Sequence, residues 1–261
     1  MRLSDKVIVV TGSTTGIGKA IAKKCLAEGA SVMIHGLEPD LAKETRNELD
    51  PDHGKSGIVI VDLLDPDSPG RIREAVMERF GTVHGLVNNA GLVGTGDLFS
   101  TDAERFDRFL AVNAKAPFLL VQAFVGDLQA TAGSVVNIGS VNAYCGEPDL
   151  LPYSMSKGAL MTMTRNLGDT LHRERGVRVN QINPGWILTE NEDQRKQDQG
   201  LPENWAGMLD RFFAPAGRIL DPSEVAAAVV YFLSEESGPV SGSVLDLEQY
   251  PMIGRNPAKE I

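Results

Sequence analysis

The chain is poor in cysteine, in positive charge and in long apolar runs. Cys25 and Cys145 are the only cysteines among 261 residues, too few for a disulfide framework or a cysteine-built metal site, and they point to a reducing cytosol. Lys and Arg total 25 against 35 Asp and Glu, a formal net charge of −10. That balance argues against nucleic acid as a partner, because phosphate backbones want a basic face. No apolar run reaches the ~18 residues of a membrane-spanning helix, so no membrane association is expected. Met1-Arg-Leu-Ser-Asp-Lys6 leads straight into a strand and leaves no room for a signal peptide. No repeat, low-complexity tract or Pro/Gly/Ser linker divides the chain. A hydrophobic content of 42% and a charged content of 23% are those of an ordinary globular protein, read as one cytoplasmic domain over residues 1–261.

What is present is alternation. Strand-like runs occur at 6–11, 32–34, 58–61, 85–88, 134–138, 178–182 and 244–247, the first of them continuously apolar as a buried parallel strand should be. Helical patterns lie between them: 16–28, 40–49, 66–80, 102–113, 116–131, 153–175 and 221–234, the last opened by Asp221-Pro-Ser-Glu224. Such alternation implies an α/β fold with a parallel sheet covered by helices on both faces. The segment 189–216 breaks the pattern. It is polar, carries Trp205, Phe212 and Phe213, and follows a strand's carboxyl end. It reads either as a solvent-facing excursion or, the preferred reading, as a substrate lid.

Thr11-Gly-Ser-Thr-Thr-Gly-Ile-Gly18 joins the first strand to the first helix. Its glycines permit a tight turn whose N–H groups, with the helix N-terminus, suit a dinucleotide pyrophosphate. Which nucleotide depends on the end of strand two, where a carboxylate would bond a ribose 2′-hydroxyl and an Arg a 2′-phosphate. Neither stands at Gly36 or Leu37. Glu38 comes late and reads equally as a loop residue; His35 reads as a packed strand-end histidine. No Lys or Arg occupies 13–15 or 36–37, so NAD is expected ahead of NADP.

Tyr153-Ser-Met-Ser-Lys157 carries the chemistry. A phenol with pKa near ~10 is a weak base at neutral pH. A lysine one turn away shares its helix face, and its charge lowers that pKa. Ser140 can hold a carbonyl or alcohol oxygen beside the phenol. Alone, the Tyr-x-x-x-Lys pattern also fits a half-buried Tyr beside a snorkelling Lys.

Taken together, these residues resemble the short-chain dehydrogenase/reductase family. The likeness rests on the turn 11–18, Asn88-Asn-Ala-Gly91, Asn113, Ser140, Tyr153, Lys157, Asp62 and Pro184-Gly-Trp-Ile-Leu-Thr189, in order over about residues 5–250. The resemblance implies a single Rossmann-type, doubly wound domain with a seven-stranded parallel sheet in order 3-2-1-4-5-6-7. It implies catalytic roles for Asn113, Ser140, Tyr153 and Lys157, with Asn113 holding a water between Lys157 and solvent. It implies a cofactor, NAD or else NADP, held by Gly12, Ser13, Thr15, Gly16, Ile17, Gly18, Leu37, Asp62, Leu63, Asn89, Ala90, Gly91, Tyr153, Lys157, Pro184, Gly185, Ile187 and Thr189. It also implies a homotetramer packed through the helices at 116–131 and 153–175, whose apolar content includes Phe118, Leu119, Leu120, Val121 and Phe124, then Ala159, Leu160, Met161 and Met163. The Asp-Gly-Gly that often follows the last strand in this family is replaced by Leu247-Glu-Gln-Tyr-Pro251, a tail that can reach a neighbouring subunit.

The implied activity is hydride transfer between a secondary alcohol and a carbonyl. Ser140, Asn142, Tyr144, Glu147, Tyr153, Trp186 and Glu190 are expected to line the substrate site. Their hydroxyls, amides and carboxylates suit a sugar or polyol, and no Lys or Arg is evident among them. A hydroxyacid or ketoacyl substrate stays open, as does loop packing for Tyr144 and Cys145 and simple packing for Trp186. A non-catalytic dinucleotide-binding regulator is the rival from another class; it would be expected to lack Tyr153 or Lys157. A dehydratase or epimerase of the same fold is expected to be longer. No metal is expected.

Overall fold

A computed structural model of the chain describes residues 1–144 and 146–253; Cys145 lies outside the described residues. The sheet grows from the first apolar run. β1 (Val7–Val10) is buried throughout. Its side chains alternate as a pleated strand requires: Ile8 and Val10 enter one core, Val7 and Val9 the core on the opposite face. β2 (Ser31–Gly36) and β3 (Ser56–Ile60) extend the sheet on one side. β4 (Gly85–Asn88), β5 (Ser134–Ile138), β6 (Arg178–Pro184) and β7 (Val244–Leu247) extend it on the other. The seven strands are parallel, in order β3-β2-β1-β4-β5-β6-β7, the doubly wound topology expected of the alternating pattern.

Helices α1 (Gly16–Ala27) and α8 (Pro222–Leu233) place Ile21, Cys25, Val225 and Val229 against one face. α2 (Pro39–Leu49) flanks α1. On the other face α3 (Ser68–Phe80), α5 (Ala116–Ala130) and α6 (Leu151–Arg175) supply Ile72, Val76, Leu120, Phe124 and Leu128 and the half-buried Leu167. α6 stops where Gly176 takes a left-handed φ of 69°. α8 starts on a capping box: Asp221 accepts from Ser223 N, and Glu224 accepts from Asp221 N at 2.8 Å.

Several expectations need correction. The helices read at 102–113 and 116–131 are one: α4 (Ala103–Leu110) runs through a π-helical turn, Ala111–Lys115, into α5. The resulting helix, Ala103–Ala130, is long and apolar enough to cross a membrane by length and composition, contrary to the reading of isolated runs. Here it is a core helix, with Leu120, Val121, Phe124 and Leu128 buried against the sheet. The apolar residues assigned to a subunit contact are divided: Leu120, Val121, Phe124, Leu160 and Met161 are buried within the chain, while Phe118 is 45% exposed and Ala159 is also exposed. The segment 189–216 holds α7 (Glu190–Asp198) and a 3-10 turn at Trp205–Met208, and its Trp205 and Ala214 pack with Ile219 in a small core.

Arg178, at the start of β6, ties the sheet to the far end of α8. Its guanidinium donates to Phe232 O at 2.9 Å, to Ser234 O at 3.2 Å and to Ser237 Oγ. These carbonyls stand at a helix end, where no intrahelical donor remains. Arg178→Met preserves the buried apolar stem and removes the donors; it should lower unfolding free energy by about 2–3 kcal/mol in urea titration. A loss below ~0.5 kcal/mol would mean that the carbonyls find other partners.

Candidate active site

The site lies along the carboxyl ends of the strands, beginning at the β1–α1 turn. Gly12 has φ +60°, and a Cβ on it would stand 2.9 Å from Ala90 Cα. Only glycine lets the turn lie this close to the end of β4. Asn89 joins the two: its Nδ2 donates to Thr11 O at 2.8 Å and Gly12 O at 2.9 Å, while the backbone N–H groups of Asn89 and Ala90 each donate to Thr11 Oγ1 at 3.0 Å. His35 is the packed strand-end residue, and it braces the turn. Its Nδ1 accepts from Gly12 N and its Nε2 meets Val61 O, each at 3.0 Å. Because Gly12 N can only donate, the ring is neutral with its proton on Nε2. Burial holds the His35 pKa below its usual value, opposed by the Val61 carbonyl and the charge of Asp62.

A cleft of about 890 Å³ follows this edge. Gly12, Thr15, Gly16, Ile17 and Gly18 line it, as do Leu37, Asp62, Leu63, Asn89, Ala90, Gly91 and Thr189. Ser13 does not. It is fully buried, with its hydroxyl donating to Val10 O at 2.7 Å and accepting from His35 N; the neighbouring Thr14, which the sequence reading passed over, lines the cleft instead. Thr14 also explains the bare Gly36, where a Cβ would approach Thr14 Cγ2 to 2.5 Å. Glu38 caps α2 without a side-chain bond and lines the cleft beside the exposed Leu37. Among the described residues, the cations lining this cleft are Arg105, Arg108 and Arg195, from α4 and α7 rather than from the Gly36 loop. The close glycine turn, the open helix N-terminus and the length of the cleft fit a dinucleotide.

A second cavity of about 820 Å³ adjoins the first, sharing Ile17, Asn89, Gly91 and Thr189. Ser140, Tyr153 and Lys157 meet in it. α6 carries Tyr153 and Lys157 on one face, with Lys157 Nζ 5.7 Å from the Tyr153 ring centroid. The ammonium donates to Ile138 O at 2.8 Å, at the end of β5. Burial pulls the Lys157 pKa down to about 8. Burial also pushes the Tyr153 phenol above its usual value, with a hydrogen bond from Ser140 acting in the other direction. At the phenol burial is the largest influence, and the Lys157 ammonium donates to a backbone carbonyl. Asn113 sits in the π-helical turn. Its Oδ1 accepts from Leu92 N at 2.7 Å, and its Nδ2 donates to Leu92 O and Ser156 Oγ, both at 2.9 Å. It clamps the β4 loop onto α6, close to Lys157: a Cβ on Gly91 would lie 3.4 Å from Lys157 Nζ and 3.5 Å from Asn113 Oδ1.

Of the substrate-side residues, Asn142, Glu147 and Trp186 line the second cavity with Pro184, Gly185 and Ile187. Tyr144 and Glu190 do not. Tyr144 turns toward Asp246 and Asn183, and Glu190 is exposed on the first turn of α7, away from the cavity. Residues missed from sequence include Asp149, just before α6, and Phe213, and others come from α7 and the tail. α7 contributes Glu192, Arg195 and Lys196, and the tail after β7 contributes Glu248, Tyr250 and Met252. The tail folds back within its own chain, Gln249 bonding Ala216 N at 2.9 Å and Arg218 O at 2.7 Å. Trp186 joins both elements. Its backbone N–H donates to Glu248 at 3.0 Å, its indole N–H donates to Glu192 at 2.9 Å, and its ring stacks with Trp205 at 5.3 Å. The signal for the tail was the altered Leu247-Glu-Gln-Tyr-Pro251 sequence; for α7 it was the reading of 189–216 as a substrate lid, from which Glu190 was the residue expected in the substrate site.

The family model described as enoyl-(acyl carrier protein) reductase matches residues 12–248. A 2-(S)-hydroxypropyl-CoM dehydrogenase from Xanthobacter autotrophicus is 33% identical over 249 residues, covering 95% of this chain and 96% of that one. An L-rhamnose-1-dehydrogenase from Scheffersomyces stipitis is 30% identical, covering 93% and 94%. Among solved structures, L-sorbose reductase from Gluconobacter frateurii, complexed with NADPH and L-sorbose, superposes with a TM-score of 0.90 at 28% identity, covering 98% of this chain and all of the other. The chain belongs to the short-chain dehydrogenase/reductase family. It is an NAD(P)-dependent oxidoreductase acting on CH–OH groups.

His35 makes the turn pH-sensitive. Its pKa is depressed by burial, so the unfolded chain binds its proton more readily. Its contribution to stability is therefore complete above about pH 6.5 and is lost as pH falls through the folded-state value. Urea midpoints should drop between pH 7 and pH 5, and His35→Asn should flatten that slope. An unchanged slope in the variant would remove His35 from the account.

Proposed function

We propose that this protein interconverts a secondary alcohol and a carbonyl on a small polyhydroxy compound, a sugar or polyol, using NAD(H) in preference to NADP(H). The observation that carries the substrate class is the lining of the second cavity. Beside Ser140 and Tyr153 stand the carboxylates of Glu147, Asp149 and Glu248, the amide of Asn142, and the rings of Trp186 and Phe213. Carboxylates and amides accept hydrogen bonds from hydroxyls, and aromatic rings pack on the C–H faces of a sugar. The names of the rhamnose and sorbose relatives support the same reading. Lys196 supports a second one: it also lines the cavity, its Nζ 5.2 Å from the Trp186 ring centroid, and its charge would suit a hydroxyacid. Arg195 is already paired with Glu192 at 2.6 Å.

The nicotinamide, when bound, supplies or accepts the hydride. The chain's own residues hold the substrate oxygen and move its proton. Ser140 orients that oxygen, and Tyr153 gives its proton to it or takes one from it. Lys157 assists through its charge and holds ribose hydroxyls. Asn113 fixes the loop and helix that carry these groups. With the phenol raised by burial, Tyr153 is protonated at neutral pH and ready as an acid toward a carbonyl; oxidation of the alcohol needs the phenolate. The segment 189–216 is proposed as a lid, since α7 lines both cavities and its Glu192 and Asp193 accept from the indole N–H groups of Trp186 and Trp205. A homotetramer through α5 and α6 is proposed from the exposed Phe118, Leu151 and Met155. A cytosolic location is proposed from the low cysteine content.

The test is absorbance of reduced nicotinamide during a screen of sugars, polyols, hydroxyacids and ketones. Activity on polyhydroxy compounds is expected, and activity confined to hydroxyacids would transfer the assignment to Lys196. NAD(H) should bind more tightly than NADP(H) in fluorescence titrations; the reverse order would contradict the reading of Gly36 and Leu37. Tyr153→Phe should lower kcat by about 10²–10⁴ with cofactor affinity largely kept, whereas Lys157→Ala should damage both. Oxidation should accelerate with rising pH as the phenol ionises, and reduction should slow. Near wild-type turnover in Tyr153→Phe would overturn the mechanism.

A further inference from the structure

Strands buried on both faces are usually apolar. Yet β4, β5 and β6 carry Asn88, Asn137, Gln181 and Asn183, each no more than 2% exposed. Hydrogen bonds join them into one line across the sheet. Asn88 Nδ2 donates to Asn137 Oδ1 at 2.8 Å, and Asn137 Nδ2 donates to Thr164 Oγ1 of α6 at 2.8 Å. The Thr164 hydroxyl lies 2.8 Å from Gln181 Oε1, Gln181 Nε2 donates to Asn183 Oδ1 at 2.7 Å, and Asn183 Nδ2 donates to Asp246 Oδ1 of β7 at 3.1 Å.

The line has a direction. A carboxylate only accepts, so Asp246 faces the Asn183 nitrogen and turns the Asn183 oxygen the other way. There that oxygen also accepts from the backbone N–H of Ser140 at 3.2 Å. The approach is possible because the preceding residue is Gly139, where a Cβ would overlap Asn183 Oδ1 and Gln181 Nε2. Ser140 is extended, with φ −165° and ψ 152°, and its Oγ accepts from Asn142 N at 3.1 Å. Its backbone and side chain are thus held from two sides, and the backbone hold comes from Asn183. In a low-dielectric interior such chains polarise link by link. The far end is open, since Asn88 Oδ1 has no partner among the described residues, whereas both amide atoms of Asn183 are paired.

We propose that Asn183 and Asp246 are positioning residues for Ser140: the carboxylate fixes the Asn183 amide, the amide fixes the Ser140 peptide, and the peptide aims the hydroxyl at the Tyr153 phenol. This rests on Ser140 orienting the substrate oxygen. Neither residue touches substrate; each acts through Ser140.

The test is a double-mutant cycle on the whole enzyme, using the substrate and cofactor that the absorbance screen returns. Losing one such hydrogen bond should lower kcat by about tenfold in Asn183→Ala, with cofactor Kd nearly unchanged. In a Ser140→Ala background the same substitution should cost little further. Asp246→Leu should lower kcat in the same sense, and Asp246→Asn, which still accepts from Asn183, should restore it. Asp246→Leu and its asparagine counterpart decide the matter if Asn183→Ala does not fold. An equal loss from Asn183→Ala with and without Ser140 would overturn the proposal alone, since it would show a general structural role. Full turnover in Ser140→Ala would overturn the role of Ser140 and this proposal with it.

Discussion

The buried ammonium of Lys157 is the constraint around which the site is organised. A charge taken out of water must meet a dipole or shed its proton. Here it meets Ile138 O, the carbonyl at the carboxyl end of β5, and burial still draws its pKa to about 8. That contact sets the position of α6 on the sheet. Tyr153, one turn earlier on the same helix face, is thereby brought to Ser140 just beyond β5. Ser156, on the same turn, receives Asn113 from the π-helical turn, where the extra residue re-aims a side chain that a regular helix would carry elsewhere.

A similar economy governs the cofactor side. The β1–α1 turn is held by neighbours rather than by itself. His35 of β2 fixes Gly12 and Ser13, and Asn89 after β4 fixes the Thr11 and Gly12 carbonyls. Of the turn's own side chains, Thr11 and Ser13 take part, Thr11 Oγ1 accepting from Asn89 and Ala90 N and Ser13 Oγ from His35 N. Strand ends and the residue just after β4 therefore carry the geometry, and the outer parts of the site, α7 and the tail after β7, are joined to that frame through Trp186.

The parallel sheet covered on both faces was legible in the alternation of strand-like runs with helices. The strand order and the catalytic roles of Ser140, Tyr153 and Lys157, which lie close together in sequence, were legible through the family resemblance. What was illegible depends on distant partners. Ser13 was read as a cofactor-binding residue, but its hydroxyl is taken by Val10 O and His35 N, and Tyr144 was read as a pocket residue but turns toward Asp246. The π-helical turn follows from the demand that Asn113 reach Leu92 and Ser156, which no periodicity records. Asn137, Gln181 and Asn183 did leave a trace, as polar residues within strands that should be apolar. The side to which each turned became clear only across four strands. Arg195 and Lys196 fall in the segment read as a lid, but nothing in its sequence singled out which of its side chains face the cavity.

The central claim is that hydride moves directly between a substrate carbinol carbon and the nicotinamide while Tyr153 handles only the oxygen's proton. The most direct measurement uses a substrate carrying deuterium at that carbon, oxidised in ordinary water with oxidised cofactor in excess. The account predicts that the deuterium is recovered in the reduced nicotinamide, with none lost to solvent. Deuterium appearing in water would contradict it.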